Sequence, residues 1–216
     1  MKKERVNIYG FPHKGLRNGL GKLSLSLSNL DVNDPEEVKT TVQLARELSE
    51  LLELHLNSEE EFVSPPLEAK VPGSTAHNHE DHEAMKALEH DMLAATENLE
   101  KNPSIPAQEK AYQSVNLFIR EYFRHMKEEE SDMNTIIWEN FTDEDILGWQ
   151  GQILSKLSPE QFFKWFKYII PALNPLEQQI MLGGFKENAP AEAYSFTINN
   201  LKPFLSSKQF NHISNI

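Results

Sequence analysis

His55-Leu56-Asn57-Ser58-Glu59 and His125-Met126-Lys127-Glu128-Glu129 place a histidine four residues before a glutamate twice in one chain. On a helix, a spacing of four stacks two side chains on one face, about one turn apart. Imidazole nitrogen and carboxylate oxygen are ligands for iron, zinc or manganese. His13 and His82 precede apolar helical runs in the same way. Four histidines on four helices point to a metal site inside a four-helix bundle.

The helices follow from the apolar register around these residues. Leu16, Leu20, Leu23, Leu27 and Leu30 alternate spacings of four and three and predict a helix over 11–30, with His13 on the same seam. Leu23, Leu25 and Leu27 also alternate as a strand would, but the longer helical register outweighs them. A second helix is predicted over 35–62, with Asp34 as N-cap and Pro35 in the first turn. Its seam is Val38, Thr41, Ala45, Leu48, Leu52, His55, Glu59 and Phe62, and Pro65-Pro66 is expected to end it. After a loop at 64–76, a third helix covers 78–100, carrying His82 one turn before Met85. A fourth covers 106–138, with Val115, Phe118, Tyr122, His125 and Glu129 on one seam.

The heights of the histidines agree. His13 starts its helix and His55 lies twenty residues beyond Pro35; His82 starts its helix and His125 lies about as far into the last one. At ~1.5 Å per residue, an up-down-up-down bundle brings all four to one layer. A lone histidine on an apolar face is ordinarily a core residue with a hydrogen-bond partner. Four at one level, two with a glutamate one turn on, argue for metal; a structural histidine–glutamate layer is the alternative. Burying two carboxylates costs roughly several kcal/mol each without a counter-charge, which a divalent ion supplies. One helical face can present His79 with His82, or His82 alone, so His79 is a further candidate ligand. Tyr122 is either core or a group beside the site that gates it or hydrogen-bonds to it. His77 is assigned to the loop and His90 to the surface.

Composition narrows the alternatives. The chain has 216 residues, 39% of them hydrophobic, and no apolar run approaches the ~20 residues of a membrane span. The N-terminal ten residues lack a signal peptide's apolar stretch, so a cytoplasmic location is expected. With no cysteine, thiolate zinc and cysteine-held iron–sulfur sites are excluded. A net charge of −12 with scattered Lys and Arg speaks against a nucleic-acid partner. No internal repeat is evident.

The segments from His55 to Leu67 and from His125 to Met133 resemble the paired motifs of hemerythrin-like (HHE cation-binding) domains, a likeness extending over about residues 10–141. The resemblance implies an all-α, up-down-up-down four-helix bundle holding a non-heme di-iron centre. Two iron ions, with manganese or zinc as substitutes, would be bridged by Glu59 and Glu129. One would take His13 and His55; the other would take His82 and His125, with His79 as a further candidate. Oxygen carriers of the family have a His-x-x-x-His pair on the third helix and an aspartate five residues after the last histidine. Here Asn78 stands four residues before His82, and Glu129 is four beyond His125. The pattern instead resembles a bacterial branch that includes sensors and iron–sulfur repair proteins. The implied function is binding or sensing of O2, NO or a related small oxidant. The alternatives are a metal-stabilised regulatory or protein-interaction module and, more weakly, a di-iron oxidase or peroxidase or an iron–sulfur repair protein.

The division expected is a metal-binding bundle over 1–141 and a helical extension over 142–216 packed on it. The extension reads as short helices at 143–157, 159–170, 175–188 and 190–205, with Ser158 and Asn174 as N-caps before prolines. Phe162 with Phe166, and Trp165 with Ile169, recur at helical spacing and suit docking or a protein partner.

Overall fold

The structure, a computed structural model, describes residues 5–216 and is all-α, with no strand among the described residues. The chain groups into two compact units. The first comprises residues up to Gly10 and Gly19–Lys156; the second comprises Phe11–Asn18 and Leu157–Ile216. The first helix, α1 (Gly10–Asn29), is uninterrupted and contributes to both.

In the first unit, α2 (Pro35–Ser58), α4 (Ala76–Lys101) and α5 (Ile105–Glu128) join the second half of α1 in an antiparallel bundle. The direction of each pair shows in its cross-links. Arg46 and Ser49 on α2 reach Glu97 and Glu89 on α4, while just beyond the end of α2 Glu60 meets His82. Ser24 and Leu27 on α1 bond to Asn116 and Gln108 on α5. Asp34 caps α2 by accepting from the Glu36 and Glu37 amides, and Ser104 caps α5. The core is the expected leucine seam: Leu20, Leu23, Leu27, Leu48, Leu52 and Phe118 are all buried.

Both long helices that carry a His–Glu pair depart from expectation at their ends. Each passes into a π-helical turn, Glu59–Val63 and Glu129–Met133, then into a further seven-residue helix, α3 (Ser64–Lys70) and α6 (Asn134–Asn140). Pro65 and Pro66 therefore do not end the helix, and the expected loop at 64–76 shrinks to the residues between α3 and α4. The prolines sit in the first turn of α3, where a missing amide hydrogen loses no helical bond. A repeat also emerges that the sequence did not reveal. A 24-residue helix, a five-residue π turn and a seven-residue helix occur twice, seventy residues apart.

α7 (Asp143–Lys156) belongs to this unit. Ile146 and Trp149 complete a buried cluster with Tyr9, Val63, Leu67, Met133 and Ile137. Arg5 fastens the same end, donating to Asp143 at 2.6 Å and to the Trp138 carbonyl at 2.9 Å.

The second unit is made of α8 (Pro159–Ala172), α9 (Pro175–Asn188), α10 (Ala191–Leu201), a 3-10 turn at Lys202–Phe204 and a last helix, α11 (Ser207–Ile213), which the sequence reading missed. Ser158, Asn174 and Ser206 each form a reciprocal capping box. Phe162, Phe166 and Phe185 pack with ring centroids 4.5–5.1 Å apart. Residues 11–18 are held here by Asn18, which donates to the Tyr168 carbonyl, and by the Lys14–Glu177 ion pair. At Gly15 a Cβ would lie 2.7 Å from Ile169 Cγ1, so only glycine lets the two helices approach this closely.

Candidate metal centre

The residues singled out by the four-residue spacing are buried in the first unit. His55, Glu59, His82, His125 and Glu129 each expose less than a tenth of their surface. Because α2 and α5 stay α-helical up to each glutamate, His and Glu remain on one face: His55 Nε2 lies 3.2 Å from Glu59 Oε1, and His125 Nε2 lies 3.1 Å from Glu129 Oε1. The chain widens only after the glutamate, where the Ser64 and Asn134 amides bond back to the Glu59 and Glu129 carbonyls five residues earlier. Such π turns recur at functional sites.

α4 supplies the third side. His82 Nε2 points between the two glutamates, 3.5 Å from Glu59 Oε2 and 3.6 Å from Glu129 Oε1. Its ring meets His125 edge-on at 5.0 Å. The ligand atoms of Glu59, His82, His125 and Glu129 all lie within 4.8 Å of one another, and those of His55, Glu59 and Glu129 do likewise. His13 is fully buried in the first turns of α1. His79 is half-exposed, with Nδ1 4.0 Å from Glu60, and does not join the buried sets. Tyr122 is buried with its ring 5.8 Å from that of His125 and stacked on Phe118. His90 is exposed, as is His77.

Two neighbours were not recognised from sequence. Asn78, one turn before His82, is buried and donates its amide to Glu129 Oε1 at 3.2 Å. Its position four residues before His82 was the available signal, but its role depends on α5. Tyr9, from the segment before α1, is fully buried. Burial, then the charges of Glu59 and Glu129, hold its phenol protonated well above the ordinary range.

The electrostatics and the donor set fit a bound cation. Two carboxylates are buried side by side, a costly arrangement in low dielectric without positive charge. Without a metal the compensation falls to His82. Burial disfavours its charged form, but the carboxylates of Glu129 and Glu59 outweigh that and push its pKa up to about 10. His82 Nε2 is buried and makes no hydrogen bond among the described residues, so the atom is oriented toward the carboxylates but not satisfied by them. Imidazole nitrogens and carboxylate oxygens without thiolate suit iron, manganese or zinc.

A family model described as hemerythrin HHE cation binding domain matches residues 7–137. No curated protein and no solved structure matches the chain. No helix among the described residues is long and apolar enough to cross a membrane.

Proposed function

The chain belongs to the hemerythrin HHE cation-binding family, and on that premise we propose that it holds two iron ions and binds or senses O2, NO or a related small oxidant. The supporting observation is that Glu59 and Glu129 are common to two sets of buried ligand atoms, one reaching His55 and the other reaching His82 and His125. Glu59 and Glu129 would be the carboxylates that hold both ions. His82 and His125 would hold one ion and His55 the other, with His13, buried on the seam of α1, as its proposed partner. His79 lies outside the set in this reading. Manganese or zinc would suit the same donors.

Two ferrous ions, when bound, supply two electrons to a small oxidant. The protein's own part is positional. Asn78 fixes the orientation of Glu129 by its amide hydrogen bond, and Tyr122 with Phe118 walls the His125 side against water. Tyr9 closes the centre from the side of the buried cluster formed with Leu67 and Ile137. A cytoplasmic, iron-supplied setting is part of the same proposal.

A second reading has one observation in its favour. In the second unit an open apolar cleft of about 300 Å³ is lined by Phe162, Phe163, Phe185 and the exposed Phe196. It suits a metal-stabilised module whose C-terminal unit receives a protein partner. Anaerobic reconstitution with Fe(II), followed by O2 and NO titration, separates the two. The first reading expects a new charge-transfer band in the near-ultraviolet or visible. Iron-loaded protein whose spectrum ignores both gases would leave the second.

A further inference from the structure

Each of two ligand histidines has a carboxylate behind it. His82 turns Nε2 toward Glu59 and Glu129, and its other nitrogen, Nδ1, lies 3.2 Å from Glu60 Oε1. His125 turns Nε2 toward Glu129, and its Nδ1 faces Asp81 Oδ2 at 3.6 Å. The two acids come from different elements. Glu60 is the second residue of the π turn after α2, directly beyond the bridging Glu59; Asp81 directly precedes His82 on α4. Two unrelated stretches of sequence thus give the same relation: Nε2 inward, Nδ1 toward an acid.

Both acids are themselves held. Asp81 is buried, and its other oxygen, Oδ1, accepts from Arg124 at 3.1 Å, which leaves Oδ2 facing His125 at 3.6 Å, with the exposed His77 farther off at 4.0 Å. Oδ2 is buried and accepts no hydrogen bond among the described residues, so the imidazole N–H is the donor that suits it. Glu60 is partly exposed, with Lys86 Nζ 3.7 Å away. His79 lies 4.0 Å from the same oxygen on the outer side, which accounts for a histidine near the centre that is not among the buried ligands.

We infer that Glu60 and Asp81 are positioning residues that fix His82 and His125 in the Nδ1–H form, leaving Nε2 as the metal-binding nitrogen of each. An imidazole that donates Nδ1–H to a carboxylate is held in one tautomer and one ring orientation, and the carboxylate makes the opposite nitrogen a stronger donor. Without the acids each ring can rotate or exchange tautomers, so metal binding must restrict that freedom. The inference rests on the metal reading above and assigns two residues to it that the four-residue spacing does not reveal.

The test uses the full-length protein and Co(II), whose visible bands report coordination. Wild type is compared with Glu60→Gln, Glu60→Ala, Asp81→Asn and Asp81→Ala in titrations against a competing chelator. Each alanine variant is expected to weaken Co(II) binding by about 10–100-fold. The amide variants should fall between alanine and wild type, because an amide oxygen still accepts from Nδ1–H but carries no charge. Proton NMR of the Co(II) form is a readout that general destabilisation would not mimic. Wild type should show paramagnetically shifted, exchangeable imidazole N–H resonances, and each alanine variant should lose one while metal-free helicity is unchanged. Wild-type affinity and intact resonances in all four variants would overturn the inference and leave the metal reading standing. Failure of wild type itself to bind Co(II) would overturn both.

Discussion

The two strips that carry the His–Glu pairs, α2 to α3 and α5 to α6, can be superposed in sequence by a shift of seventy. Inward positions then correspond: Leu48 with Phe118, His55 with His125, Glu59 with Glu129, Val63 with Met133 and Leu67 with Ile137, all buried. The side chains around the ligands do not. Leu52 in one strip is Tyr122 in the other, Ser64 is Asn134, and the cap Asp34 is Ser104. Shared chemistry thus lies in the His–Glu pairs and in the backbone turn that follows them. What varies is the packing beside each His–Glu pair, so the two sides of the candidate centre have unlike surroundings.

The largest effect should come from Glu59 and Glu129, the proposed bridging pair, where the comparison predicts equality. Glu59→Ala and Glu129→Ala are each expected to lower bound iron from two ions per chain to one or fewer while leaving a helical metal-free protein. Losing one carboxylate removes a link between the cations and leaves their repulsion less compensated. Elemental analysis of the purified variants checks it. Retention of two ions in both variants would contradict bridging by this pair, and retention in one alone would show that the strips are not equivalent at their centre.

Next comes the response to pH, which tests the third side of the centre. In the metal-free protein the His82 pKa is raised from an ordinary 6.5 to about 10. Its contribution to stability is therefore fully present below about pH 6.5 and is lost as pH rises toward 10. Metal binding displaces that proton, so apparent metal affinity should run the other way, rising by up to about tenfold per pH unit across the same window. Melting curves and chelator competition at several pH values measure both. Metal-free stability that does not fall between pH 7 and 10 would count against a charged His82.

The apolar floor offers a smaller symmetric test. Leu67→Ala and Ile137→Ala remove corresponding fully buried side chains from one cluster and should each cost about 2–5 kcal/mol. Denaturant unfolding of metal-free protein gives the values, and a cost confined to one would mean that α7 covers the strips unequally. The smallest effect is expected at the caps. Asp34→Ala and Ser104→Ala should each cost about 1 kcal/mol, by the same measurement.

The bundle was legible because its helices are long and their leucines hold one register, so His55, His82 and His125 could be placed by counting. Asp34, Ser158 and Asn174 were legible as caps because capping is local. The π turns were not, since inserting one residue per turn leaves the apolar spacing nearly intact. Pro65-Pro66 then read as a stop because a proline pair ends a helix unless it falls in a first turn. Asn78, Glu60 and Asp81 were hidden for another reason. Each acts on a residue of a neighbouring helix, and only the packing of α2, α4 and α5 brings them within reach. Tyr9 lies in a short stretch without periodicity, so nothing local marks it as buried. In the second unit, α11 carries too few apolar residues to announce itself.

In the proposed function one pair of glutamates serves two metal ions. Native mass spectrometry of the full-length protein reconstituted anaerobically with Fe(II) tests it most directly, because each bound ion adds a countable mass. A dominant species with two irons per chain is the predicted result. A dominant species with one iron, or with none, would contradict it.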